Sequence, residues 1–166
     1  MFARAVIDSL EFARTEQTLE GNVPVPDLAR LRDSLHDALG RVDVVVRGGK
    51  DAQRRPILRV DVAGELHLEC QRCLGRLDFP LRLSNSLLLA SQAEADSGAF
   101  DDMEADWIVA SPELDVMALV EDEIILSLPY APRHAEGQCE QGGARDRDDG
   151  GASPFAKLAA LKRDDH

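Results

Sequence analysis

The clearest pattern in the chain is an alternation. Leu58, Val60, Val62, Leu66, Leu68 and Cys70 fall on even positions, while Arg59, Asp61, Glu65, His67 and Glu69 fall on odd ones. Such a period of two predicts a long strand with one buried face. Gly64 interrupts the apolar series and suggests a bulge or bend. After Gly75 the phase resumes as Leu77, Phe79, Leu81 and Leu83 against Arg76, Asp78, Arg82 and Ser84. The two runs predict an antiparallel hairpin whose tip is CQRCLG, residues 70–75. Upstream, Val42, Val44 and Val46 predict a further strand, and residues 47–56, RGGKDAQRRP, read as a basic loop turned by two glycines. Residues 1–10 alternate weakly and predict another strand.

Helical spacing occurs twice. Leu28, Leu31, Leu35 and Leu39 predict a helix over 27–39 capped by Asp27. Val116, Met117, Leu119, Val120, Ile124 and Leu128 predict a second over 115–128, capped by Asp115 and ended by Pro129. Glu121, Asp122 and Glu123 are expected to crowd the opposite, solvated side. Residues 91–106 read as a small, acidic surface loop, and WIVA, 107–110, as a short strand. A Gly-, Asp- and Gln-rich stretch to residue 152 reads as a flexible linker. SPFAKLAALK, 153–162, then restores a helical face of Phe155, Leu158 and Leu161, with Ser153 as cap. The expected architecture is α+β: an antiparallel sheet, curled toward a barrel, with two packed helices. One domain spans 1–134, a linker 135–152, and a docking helix 153–166.

Composition narrows the class. The chain has 166 residues and 44% hydrophobic content, enough for a core, but only 4% aromatics, so Val, Leu, Ile and Ala must fill it. No secretory leader or membrane-spanning run is visible, and three cysteines suit a reducing compartment, so a soluble cytoplasmic protein is expected. The net charge of −12 lies wholly in the second half, because residues 1–91 carry 13 acidic and 13 basic side chains. An acidic surface repels phosphate backbones and suits a basic protein partner; it also serves solubility. Glu121, Asp122 and Glu123 are candidates for such a contact, as are Phe155, Leu158 and Leu161. Nucleic-acid contact would fall to Arg47, Lys50, Arg54 and Arg55. That loop has no aromatic side chain to stack on bases, so its binding would be weak and salt-sensitive.

Candidate chemistry centres on Cys70 and Cys73. The Cys-x-x-Cys spacing lets two thiolates reach one tetrahedral zinc from a tight turn, and His134 and Cys139 offer a second pair. The alternative is a cysteine packed at a strand end and another in a turn. A redox pair fits poorly, because such a motif belongs at a strand-to-helix junction rather than between strands. No phosphate-binding glycine loop or HExxH is present, so an enzyme is not expected.

The ordered set of LECQRC at 68–73, LDVMALVEDEIILSLP at 114–129, the following PRHAEGQCE, and SPFAKLAALK resembles the YceD family of large ribosomal RNA subunit accumulation proteins. ARTEQ and EG, at 13–17 and 20–21, match more loosely. The resemblance implies a ribosome-biogenesis role in synthesis, processing or stability of large-subunit ribosomal RNA, without a catalytic residue. It also implies a basic ribosomal protein or assembly factor as partner. It is silent on zinc.

Overall fold

A computed structural model describes residues 5–100 and 105–139. The expected 153–162 helix, with Phe155, Leu158 and Leu161, and residues 140–152 lie outside them.

The alternating runs form the centre of a five-stranded sheet. The strands are β2 (Thr18–Pro24), β3 (Arg41–Lys50), β4 (Pro56–Glu69), β5 (Arg76–Ala90) and β6 (Trp107–Val109), in that spatial order. All pairings are antiparallel except β5 with β6, which is parallel. β2 and β6 remain as edges, so the sheet does not close into a barrel. A two-stranded pair joins β1 (Val6–Ile7) to β7 (Leu114–Asp115). The described residues include no helix long and apolar enough to cross a membrane.

The even positions of β4 face inward as expected: Leu58, Val60, Val62, Leu66 and Leu68 are buried, and Cys70 just beyond the strand is fully so. β5 carries the odd phase against them, with Leu68 opposite Leu77 and Leu66 opposite Phe79. The pairing runs without slip from Ile57↔Leu88 to Glu69↔Arg76, so Gly64 marks no bulge. It marks a close approach instead: a Cβ there would lie 2.9 Å from both the Arg41 carbonyl oxygen and Val42 Cγ1. The glycines of 47–56 are likewise not a turn. β3 runs through them to Lys50, and the turn is confined to residues 51–55.

Among the described residues, three α-helices accompany the sheet. Of the strand expected over residues 1–10, Val6–Ile7 forms among the described residues, and Asp8 then caps a helix, α1 (Ser9–Arg14), that the alternation does not signal; nor does it signal β2. α2 (Gln92–Asp96) replaces part of the expected 91–106 loop; Ser91 and Glu94 form a capping box that starts it. α3 (Val116–Ser127) is the second predicted helix, with the Asp115 carboxylate accepting from the backbone N–H of Met117 and Ala118. α1 and α3 pack on the inner face, where the main core holds Phe12, Leu58, Leu66, Val120 and Ile124. A small second core on the outer face groups Ile57, Leu88, Ala90 and Phe100, with Trp107 against it.

The expected 27–39 helix does not form. Val25–Asp27 and Ala29–Ser34 are 3₁₀ turns, and the chain is extended at Leu35. Leu28 and Leu31, three apart, are fully buried, which a 3₁₀ turn satisfies as well as an α-helix does. Asp27 caps nothing, since neither turn has a side-chain cap. Beyond Ser34 tertiary partners override helical propensity. Leu35 bridges to Leu68, the His36 N–H donates to the His67 carbonyl at 2.7 Å, and Asp37 bonds the His67 ring at 2.6 Å. Leu39, which the helix would have used, is 64% exposed.

Candidate metal centre

The hairpin tip places two sulfurs close together by ordinary turn bonding. The Cys70 N–H donates to the Gly75 carbonyl at 3.0 Å and the Leu74 N–H to the Cys70 carbonyl at 2.8 Å. Leu74 takes φ 59°, a left-handed conformation uncommon for leucine. After α3, the segment from Pro129 returns to this tip, where the Gln71 N–H donates to the Pro132 carbonyl at 2.9 Å. His134 and Cys139 are thereby delivered beside Cys70 and Cys73. The two sequence pairs, 61 or more residues apart, meet in one cluster.

The Cys70 and Cys139 sulfurs lie 3.8 Å apart. His134 Nδ1 lies 3.5 Å from Cys73 Sγ and 3.7 Å from Cys139 Sγ. All four ligand atoms fall within 4.8 Å of one another. A tetrahedral zinc with bonds of about 2.3 Å to sulfur and 2.0–2.1 Å to nitrogen sets sulfur–sulfur edges near ~3.8 Å and sulfur–nitrogen edges near ~3.6 Å. The three contacts match those edges. They do not match a disulfide, whose sulfurs sit about 2.05 Å apart, and all three cysteines are free.

The surroundings prepare these groups as ligands. The Arg76 carbonyl can only accept, and it lies 2.9 Å from His134 Nε2. A ring hydrogen is therefore on Nε2, which leaves Nδ1, facing the sulfurs, as the atom whose lone pair a metal would take. Arg72 reaches across the site: its Nε donates to Cys139 Sγ at 3.0 Å and a terminal nitrogen to the Ala135 carbonyl at 3.1 Å. Burial pushes the Cys70 thiol up, but hydrogen bonds from the backbone of Cys73, His134 and Arg72 outweigh it and hold it at about 5. The Arg72 guanidinium holds Cys139 below the usual thiol range. A backbone bond from Gly75 pulls Cys73 down, yet burial and the sulfurs of Cys139 and Cys70 leave it raised. His134 is raised, chiefly by Cys139. Three sulfurs thus compete for the positive charge of one guanidinium. A divalent cation would satisfy all three, leaving a site whose single net negative charge Arg72 balances.

A second acidic group, Glu65, His67 and Asp78, is also compact. Arg76 already serves it, with its guanidinium 2.9 Å from His67 Nε2 and 2.6 Å from Asp78. His67, expected on the polar side of its strand, is 8% exposed. It is covered by residues 35–39, which sequence periodicity assigned to a helix elsewhere.

The other candidates are dispersed. Arg47 pairs with Asp61 at 2.5 Å and Arg55 with Asp51 at 2.7 Å, whereas Lys50 and Arg54 are exposed. The solvated acidic face expected on α3 is not found. Glu121 and Glu123 are 8% and 7% exposed. The Glu121 carboxylate accepts from the Arg30 N–H at 3.0 Å, and that of Glu123 from Asn85 at 2.9 Å. Asp122 is half-exposed and pairs with Arg30 at 2.5 Å. The 25–34 turns and β5 cover both sides of the helix, so polar side chains turn inward to meet backbone and amide donors.

Residues 58–162, more than half of the chain, match the family model described as large ribosomal RNA subunit accumulation protein YceD. The chain belongs to the YceD family. A relative from Haemophilus influenzae, described as large ribosomal RNA subunit accumulation protein YceD, is 27% identical over 95% of this chain and 94% of its own length. No solved structure gives a significant match. Membership in the YceD family connects the chain with accumulation of large-subunit ribosomal RNA, and the matched span contains the Cys3His cluster, whose four ligand atoms are close enough together that they could hold a metal ion.

Proposed function

We propose that this protein is a non-enzymatic ribosome-biogenesis factor that sustains large-subunit ribosomal RNA through a basic protein partner, and that one structural zinc closes its hairpin tip. The family match supports the RNA role. The agreement of three inter-ligand distances with tetrahedral edges supports the metal. Cys70, Cys73, His134 and Cys139 would hold the ion. Four protein ligands leave no open position for substrate, so the ion would serve as a cross-link between the hairpin and the segment after α3. The concentration of acidic charge after residue 91 supports a basic partner.

Direct RNA binding by Arg47, Lys50, Arg54 and Arg55 has less support, since two of the four are engaged by carboxylates. The test of the main reading combines two measurements. Elemental analysis of purified protein should return one zinc per chain, lost in Cys70→Ser. Cells lacking the protein should show a selective fall in large-subunit RNA, restored by a plasmid copy. Metal-free folded protein would remove the zinc, and an unchanged RNA ratio would remove the assembly role.

A further inference from the structure

Between α3 and the β5–β6 edge lies a cleft of about 820 Å³. Its apolar lining includes Trp107, Ile108, Leu119 and Leu126. Leu126, in the last turn of α3, is 80% exposed. Three carboxylates, Asp106, Asp122 and Glu123, stand in the lining against one guanidinium, that of Arg30, which is already paired with Asp122. The cleft therefore suits an apolar segment that carries positive charge.

The chain contains such a segment. Phe155, Leu158 and Leu161 share one helical face by their spacing, and Lys157, Lys162 and Arg163 are the only charged residues between 153 and 163. This is the one basic stretch in the acidic half. Fifteen residues separate Cys139 from Phe155, a span of up to about 55 Å when extended, more than the ~30–40 Å breadth of a domain this size. The family match runs on through residue 162, so the segment belongs to the shared unit and is not an appended tail. We propose that residues 153–163 of the same chain occupy the cleft between α3 and β5–β6, with Phe155, Leu158 and Leu161 against Leu126 and Trp107 and the basic side chains toward Asp106 and Asp122. This inference stands apart from the zinc and the RNA role.

Trp107 is the single tryptophan of the chain and lines the cleft, so it reports occupancy. Acrylamide quenching of its fluorescence should be compared in the full-length protein and in full-length Phe155→Asp/Leu158→Asp, which changes no residue of the folded sheet. The variant should lose protection and shift its emission to the red, and a synthetic peptide of residues 151–164 should restore both. Leu126→Lys, at an exposed position, should lose protection and fail to respond to the peptide. Equal quenching in wild type and tail variant would overturn the proposal. So would protection that grows with protein concentration, which would place a second copy's segment in the cleft instead. Quenching unchanged by the peptide but reduced by a basic partner protein would assign the cleft to that partner and overturn the proposal too.

Discussion

Gly48→Ala should be among the most damaging single-methyl changes in this protein. Gly48 continues the inward series Val42, Val44, Val46 on β3, but the backbone of α1 occupies the space where its side chain would stand. A Cβ at this position would lie 2.2 Å from the Phe12 carbonyl oxygen, 2.7 Å from its carbon and 2.8 Å from Ala13 Cα. Comfortable contact between carbons needs about 3.5–4.0 Å, so α1 must lift by roughly 1 Å or more. The helix is held by Phe12 and Ala13, which are 5% and 0% exposed, and the segment that follows it by the Gly48 N–H, which donates to the Gln17 carbonyl at 2.9 Å. Burying a phenylalanine removes about 150–250 Å² from water, worth about 4–6 kcal/mol at ~25 cal/mol per Å². Losing half of that gives a destabilisation of about 2–3 kcal/mol, the upper range for overpacked cores. Gly49→Ala is the control. Its Cβ meets nothing within 4 Å, so the change should be neutral or stabilise by up to about 1 kcal/mol, because glycine is a poor strand residue. Urea unfolding followed by circular dichroism measures both. A cost below about 1 kcal/mol for Gly48→Ala, or equal costs for the pair, would refute the close-packing argument.

Further outcomes follow from the site and the caps. Arg72→Gln should speed zinc release to a chelator while Arg72→Lys partly restores retention, because the guanidinium both bonds Cys139 Sγ and ties down the Ala135 carbonyl; in metal-free protein the same change should raise the Cys139 thiol and slow its alkylation near neutral pH. Removing the metal should increase hydrogen exchange in residues 130–139 and leave β3–β4–β5 protected, since the register of those strands is set by the hairpin itself. Asp37 is held below the usual carboxylate range, first by its bond to His67 and then by the Leu39 N–H. Its contribution to stability is therefore present above its unfolded value near ~3.9 and lost as pH falls through the lower folded value. Asp37→Asn should narrow toward wild type in stability below about pH 4, and a gap independent of pH would contradict this. Asp115→Ala should cost about 0.5–2 kcal/mol through two lost cap bonds on α3, read by thermal or urea unfolding.

What could be read from the sequence was what local periodicity encodes. The β4–β5 hairpin, its buried face, α3 and its Asp115 cap all follow from spacing and are found where expected. The Cys3His grouping was accessible for a different reason: ligand residue types at metal-compatible spacing stand out even when 61 residues separate the pairs. Features set by distant packing were not legible. Leu28 and Leu31 look helical, but Leu68 and His67 draw the following residues into extended contact. Gly48 and Gly64 read as turn and bulge because their actual reason, another backbone pressed against them, lies elsewhere in the chain. Glu121 and Glu123 read as solvated because nothing local reveals that Arg30 and Asn85 will meet them. His67 reads as solvated for the same reason, since its cover comes from Asp37 and Arg76.

If zinc closes the hairpin tip and the cellular role needs it, loss of the metal ligands must reach the ribosomal RNA. Cells lacking the protein would receive the wild-type chain, Cys70→Ser/Cys139→Ser, or Gly49→Ala as a neutral control, at matched protein levels, and the ratio of large- to small-subunit ribosomal RNA would be measured. The large-subunit RNA should fall selectively and be restored by wild type and control but not by the doubly substituted chain. Full restoration by the metal-free variant, or an unchanged ratio in cells lacking the protein, would contradict this.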